Sequence, residues 1–123
     1  MNSYKNIRGI KRLTRATIAS WSGLKTTFTE QAFQLELIFI LILSPVAIFS
    51  DKSWAEKALL VLVLLNVLLV ETINTAIEYT VDRIGLEYNE ISKKAKDTGS
   101  FAVLFSIFIA GSVWILAFFG KFV

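Results

Sequence analysis

The chain has 123 residues, 54% of them hydrophobic and 19% charged, with a formal net charge of +3. It has no Cys and no His, which excludes disulfides, thiolate chemistry, thiolate zinc sites, and the commonest general base and transition-metal ligand. Any metal must therefore be a hard cation on carboxylates, such as magnesium.

The length suits one domain, and the apolar residues bunch into three blocks rather than lining one soluble core. An all-α integral membrane protein is expected, with a surface helix over 1–29 and transmembrane helices over 32–49, 55–84 and 101–120.

In the first unit, Ile7, Ile10, Thr14, Ile18, Trp21 and Phe28 form one stripe. Lys5, Arg8, Arg12 and Arg15 occupy the adjacent face. A basic amphipathic helix with a Trp suits an anionic bilayer surface. No cleavable signal peptide is expected, and Gly23 offers a bend. Glu30 and Glu36 flank the entry to the first span. Six residues apart, they do not share a helical face well. Ser44-Pro45 marks a kink or exit near the end of that span, and Trp54 suits an interfacial anchor.

The second span is apolar over 58–70 except for Asn66. No cap, Pro or Gly separates it from Glu71-Thr-Ile-Asn74-Thr-Ala-Ile-Glu78-Tyr-Thr-Val-Asp82-Arg83, so one continuous helix ending by Gly85 is expected. Glu71, Asn74, Thr75, Glu78 and Asp82 then share a face, with Ile73, Ile77 and Val81 on the other side. A carboxylate at membrane depth costs several kcal/mol unless paired, hydrated or metal-bound. The alternative is a helix end emerging into water, which suits Asp82 best.

A basic loop is expected over 86–100, with Ser100 capping the third span. Gly99, Ala102, Ser106, Ala110, Gly111 and Ser112 suit close helix contact, and Trp114 suits packing or an interfacial belt. The positive-inside rule places the N-terminus and the basic loop in the cytoplasm, with Lys121 a minor counter-signal. Acidic groups able to hold a divalent cation then face basic groups able to hold phosphate, which is the recipe for phosphoryl transfer. There is no Walker-type loop or protein-kinase signature. Three helices scarcely enclose such a site, so an oligomer with sites between subunits is expected.

The Glu71–Arg83 run, followed by Glu87-Tyr88, Glu90, Ser92 and Ala95-Lys96-Asp97 with Gly99-Ser100, resembles the prokaryotic diacylglycerol kinase family. Ser20-Trp21, Gly23-Leu24, Glu30, Ala32-Phe33 and Glu36 match it upstream. The resemblance implies a homotrimer in the bacterial inner membrane that moves the γ-phosphate of ATP to diacylglycerol. It implies Glu71 as catalytic base and Glu30 and Glu78 as ligands of magnesium. It places Arg12, Ala19, Glu30, Glu78, Glu87, Tyr88, Asn89, Lys96 and Asp97 at the nucleotide. It places Arg12, Ala16, Ser20, Trp21, Ala32, Phe33, Glu36, Phe49, Lys57, Glu71, Asn74 and Ser100 at the lipid. Asn89 stands where some members carry His, and Leu35 replaces a polar residue. The expected partners are the bilayer, diacylglycerol, ATP and copies of the chain, not nucleic acid. Phosphorylation of undecaprenol is the alternative within the family. A small proton-coupled transporter and a structural membrane subunit are the alternatives outside it.

Overall fold

The computed structural model describes residues 2–120, with side chains from Arg8 onward. The side chains of Lys5 and Ile7, and Lys121, lie outside the described residues. Four helices follow in order: α1 (Asn2–Phe28), α2 (Gln31–Ile48), α3 (Trp54–Ile84) and α4 (Glu90–Phe119). α2, α3 and α4 are long and apolar enough to cross a membrane. α3 lies between the other two, packing most extensively on α4 and next on α2, and α1 touches α2 lightly.

α1 runs unbroken through Gly23, so the bend expected there is absent. Its hydroxyls bond back to carbonyls four residues earlier, as in Thr14 to Ile10 (3.0 Å) and Thr17 to Leu13 (2.9 Å). Those bonds satisfy the hydroxyls without breaking the helix. The turn into α2 is closed by backbone bonds from Thr29 to Thr26 and Glu30 to Thr27, each 3.0 Å. Phe28 and Phe33 meet edge to face at 5.4 Å, joining the two helices. Pro45 does not begin an exit. It sits inside α2, which continues to Ile48, and its carbonyl accepts the Phe49 N–H at 2.9 Å.

α3 opens with a reciprocal cap. The Ser53 hydroxyl accepts the Glu56 N–H at 3.2 Å, and the Glu56 carboxylate accepts the Ser53 N–H at 2.8 Å. The helix then passes from apolar to polar sequence without a break, as expected, and ends at Gly85. Leu60, Leu64, Val67, Glu71 and Asn74 are buried at steps of four and three, which keeps one seam turned inward. Val81 extends that seam and is buried too, contrary to its expected place on the outer side. At ten residues past Glu71 it lies close beside Asn74 on the helical wheel.

The loop expected over 86–100 is only 85–89, and α4 begins at Glu90 rather than 101. Asn89, not Ser100, is the cap: its side-chain oxygen accepts the N–H groups of Ile91 and Ser92, each at 3.0 Å. Lys93–Asp97 (2.5 Å) and Glu90–Lys94 (3.5 Å) then pair at i, i+4 and support a helix through charged sequence. At about 1.5 Å per residue α4 is roughly 45 Å long, well beyond the ~30 Å hydrocarbon layer.

Gly99, Ser106 and Ala110 form the buried stripe of α4. Ala102 and Gly111, expected to help, are exposed. Ile40, Leu64, Val67 and Ala110 make the core, with Trp114 packed on it. The Trp114 indole N–H donates to the Leu60 carbonyl at 3.1 Å, so Trp114 is a packing residue. The Lys52 ammonium donates to the Ala117 carbonyl and lies 4.6 Å from the Phe118 ring, tying the α2–α3 turn to the end of α4.

A Cβ at Gly99 would collide with the buried Asn74 side chain, whereas one at Gly111 meets open space. Both substitutions to Ala improve helix propensity equally. Gly99→Ala should therefore be less stable than Gly111→Ala by about 1–3 kcal/mol, read from loss of helical circular dichroism as mixed micelles are titrated with SDS.

Candidate functional site

α3 carries Glu71, Asn74 and Thr75 into the packed face, where each is buried and Glu71 is only 6% exposed. Glu78, one turn on from Asn74, is partly buried. The Asn74 amide nitrogen lies 3.4 Å from a Glu78 carboxylate oxygen, as donor to acceptor. The Asn74 amide oxygen is buried without a hydrogen-bond partner.

Glu30 and Glu36 come to the same region from the start of α2. Helical spacing predicted poor face sharing, but Glu30 is the N-cap residue, with extended backbone at φ −84° and ψ 127°. It therefore escapes the helical periodicity that governs Glu36. The charges of Glu78 and Glu30 both act on Glu71, and the charge of Glu71 acts on Glu36. Glu36 does not snorkel outward: it is partly buried, and one of its oxygens is enclosed without a partner. Among the described residues, the ion pairs are Lys93–Asp97, Lys94–Glu90 and Lys96–Asp82, so no Lys or Arg pairs with any of these four carboxylates. Nor do three acidic side chains approach closely enough to chelate one ion among the described residues. The arrangement is an uncompensated negative field made of hard oxygen donors.

Tyr79 was not singled out from sequence. Its hydroxyl donates to Glu30 and so joins α3 to the start of α2. Its position next to Glu78 and four residues after Thr75 was the available signal, but its partner is 49 residues away. Tyr79, Thr75, Thr72 and Ala76 wall a recess of about 500 Å³ whose other side is Ser20, Gly23, Leu24, Thr26, Thr27 and Phe33. Ser20 and Phe33 therefore reach the same space as the acidic helix. A second, apolar groove of about 500 Å³ lies between α2 and α4 on a floor of Leu64 and Val67, with Glu36 as its acidic residue.

The basic and amide residues are placed differently. Lys96 bonds Asp82 at 2.6 Å across α3 and α4, and both are exposed over more than two-fifths of their side chains. Asp97 is held by Lys93. Asn89 spends its side-chain oxygen on the α4 cap, leaving its amide hydrogens outward. Glu87 and Tyr88 are exposed in the short connection, as is Ser100 on α4. Arg12, Ala16, Ala19 and Trp21 are exposed on α1, and Ala32 is exposed at the start of α2; among the described residues Arg12 makes no ion pair. Phe49 and Lys57 lie at the far ends of α2 and α3, about 27 Å along α2 from Glu30. Phe49 is exposed there, and the Lys57 ammonium sits 4.7 Å from the Trp54 ring. Among the described residues one chain thus assembles the acidic centre and the walls of a recess, with no basic group paired to the centre.

The profile of the family described as prokaryotic diacylglycerol kinase matches residues 18–118. The chain is 38% identical over 118 residues to a protein of Escherichia coli K12 named diacylglycerol kinase, covering 95% of this chain and 97% of that one. It is 40% identical over 112 residues to one of that name from Pseudomonas aeruginosa, covering 90% and 91%. A third, from Helicobacter pylori J99, is 35% identical over 108 residues, covering 87% and 84%.

The exposed Asp82–Lys96 pair should contribute less than about 1 kcal/mol to stability. A double-mutant cycle of Asp82→Asn and Lys96→Met, read by SDS unfolding, should show coupling no larger than that. A much larger coupling would mean the pair clamps the two helices together and is not free to exchange Asp82 for another anion.

Proposed function

This chain belongs to the prokaryotic diacylglycerol kinase family and is a lipid kinase, and we propose that it moves the γ-phosphoryl group of ATP to the free hydroxyl of diacylglycerol. The observation that carries the assignment of its centre is Glu71, buried on α3 near three further carboxylates, none of them paired with a cationic side chain among the described residues. A charge so placed is costly unless the site has a use for it.

Glu71 is the general base. Its carboxylate takes the proton from the lipid hydroxyl as that oxygen bonds to the γ-phosphorus. The bond from that phosphorus to the bridging oxygen of ADP breaks, giving phosphatidic acid and ADP. Glu30 and Glu78 would hold magnesium. The donor chemistry fits a hard cation: two carboxylates without basic partners among the described residues, and the unpartnered amide oxygen of Asn74 beside Glu78. Bound magnesium supplies positive charge against the phosphate oxygens. Tyr79 orients Glu30 through its hydroxyl, and Asn74 orients Glu78 through its amide.

Lys96 exchanges Asp82 for phosphate when nucleotide binds. Arg12, Ala19, Glu87, Tyr88, Asn89 and Asp97 complete the nucleotide side. Ser20 and Phe33 open the recess to the lipid, which Ala16, Trp21, Ala32, Glu36 and Ser100 flank. Phe49 and Lys57 lie where only the far end of a lipid chain reaches. The isolated position of Arg12, and the apolar surface exposed on all three spans, support an assembly of copies, a homotrimer, with sites completed between them. The protein sits in the bacterial cytoplasmic membrane with its N-terminus in the cytoplasm.

The test is transfer of labelled γ-phosphate from Mg-ATP in mixed micelles, with diacylglycerol and undecaprenol offered separately. Label should appear in phosphatidic acid. Glu71→Gln should lower the rate by about 10²–10⁴-fold while helical content and oligomeric state stay unchanged. Preference for undecaprenol would reassign the acceptor, and no label in either lipid from folded protein would overturn the kinase assignment. Tyr79→Phe should raise the magnesium concentration for half-maximal rate by about tenfold or more, with the fold unchanged. An unmoved magnesium dependence would remove Tyr79 from the site.

A further inference from the structure

Threonine hydroxyls on these helices follow one habit, and Thr75 departs from it. Every other threonine on the four helices donates to the carbonyl four residues back, as Thr27 does to Gly23 (2.6 Å) and Thr72 to Leu68 (2.8 Å). Thr75 is only 7% exposed, yet its hydroxyl makes no hydrogen bond among the described residues. Burying a hydroxyl in that state is costly unless a ligand completes it. Thr75 lines the recess between α1 and α3, one helical turn after Glu71. The other hydroxyls of that recess have committed their protons: Ser20 to Ala16 (2.8 Å), Thr26 to Ser22 (3.2 Å), Thr27 and Thr72 as above, and Tyr79 to Glu30. They offer a ligand lone pairs only. Thr75 holds the one uncommitted side-chain proton among the described residues of the recess, so a molecule completing it must bring an acceptor.

The lining also selects the kind of acceptor. Among the described residues no Lys or Arg lines the recess, and no residue of α4, where Lys96 lies, reaches it. A phosphate oxygen would enter without a counter-charge from these walls. Leu24, Phe33 and Ala76 make the rest of the surface apolar, which suits a neutral acceptor on a greasy molecule. An ester carbonyl is such an acceptor, and in diacylglycerol one stands a few bonds from the free hydroxyl. Thr75 lies about 6 Å along the helix from Glu71, so one lipid spans both. We propose that the Thr75 hydroxyl donates to an ester carbonyl of the lipid and thereby places the free hydroxyl at Glu71. Undecaprenol has no carbonyl, so the same bond favours diacylglycerol over it. This deepens the function proposed above, on which it rests, by naming the group that reads the acceptor.

The test compares dioctanoylglycerol with its counterpart in which ethers replace both esters, using the full-length protein in mixed micelles. Affinity is read by displacement of a fluorescent diacylglycerol, and kcat/KM by label from Mg-ATP. Wild type should prefer the ester by about three- to tenfold in both. Thr75→Val keeps the side-chain shape and removes the hydroxyl. It should lose that preference through weaker use of the ester, with the ether lipid unaffected, while Thr75→Ser should retain it. Wild type without an ester preference overturns the proposal and needs no variant to show it. A preference that survives in Thr75→Val, an equal loss on both lipids, or its disappearance in Thr75→Ser also overturns it. Displacement requires no turnover. A hydroxyl-dependent ester preference with no label in either lipid therefore counts against the kinase assignment alone, whereas label in phosphatidic acid without that preference counts against Thr75 alone.

Discussion

The burial of Glu71 and Asn74 is the constraint on which the molecule depends. Both lie on the seam that also supplies Leu60, Leu64 and Val67 to the core. The rotation of α3 that packs the apolar half therefore also turns the acidic half inward. Neither half can be re-aimed without the other, because a helix of 31 residues carries both on one axis. Gly99 belongs to the same constraint. It gives Asn74 room at the contact with α4, so the two helices meet closely at the site itself.

The three other carboxylates are brought in by different means. Glu78 comes by helical repeat. Glu36 comes from α2, and one of its oxygens is fully enclosed. Glu30 comes from an extended cap residue and is held by Tyr79. Together they form a negative centre that no cationic side chain compensates among the described residues. Lys96 is committed to Asp82 across α3 and α4. Separating an acidic centre from its basic complement in this way suits a site completed by a charged ligand and a cation.

Much of this was legible in the sequence, because periodicity reports faces well. The continuity of α3, the inward turn of Glu71, Asn74 and Thr75 and the end at Gly85 all followed from local pattern, while that pattern leaves Trp114 between packing and an interfacial belt. What failed depended on partners far along the chain or on rules applied past their range. The six-residue spacing of Glu30 and Glu36 argued against a shared site only if both were helical. Residues 90–100 looked like a loop because they are charged. Charges paired at i, i+4 behind an Asn cap favour a helix instead. Gly23 and Pro45 looked like breaks, yet a glycine inside a helix lowers its stability without ending it, and a proline near a helix end leaves the last turn intact. The Tyr79–Glu30 bond and the Asp82–Lys96 pair had no local signature.

The helical start of α4 also bears on which changes of chain length the protein tolerates. In a loop, one residue gained or lost between 90 and 99 would be absorbed by slack. In a helix it turns everything on one side by about 100° and shifts it by about 1.5 Å. Lys96 would leave Asp82, or Gly99 would leave Asn74, according to which side moved. A change of length is therefore better absorbed in the connections at 49–53 and 85–89 than within 90–99. The stretch that looks least structured by composition is among the least free to change its count of residues.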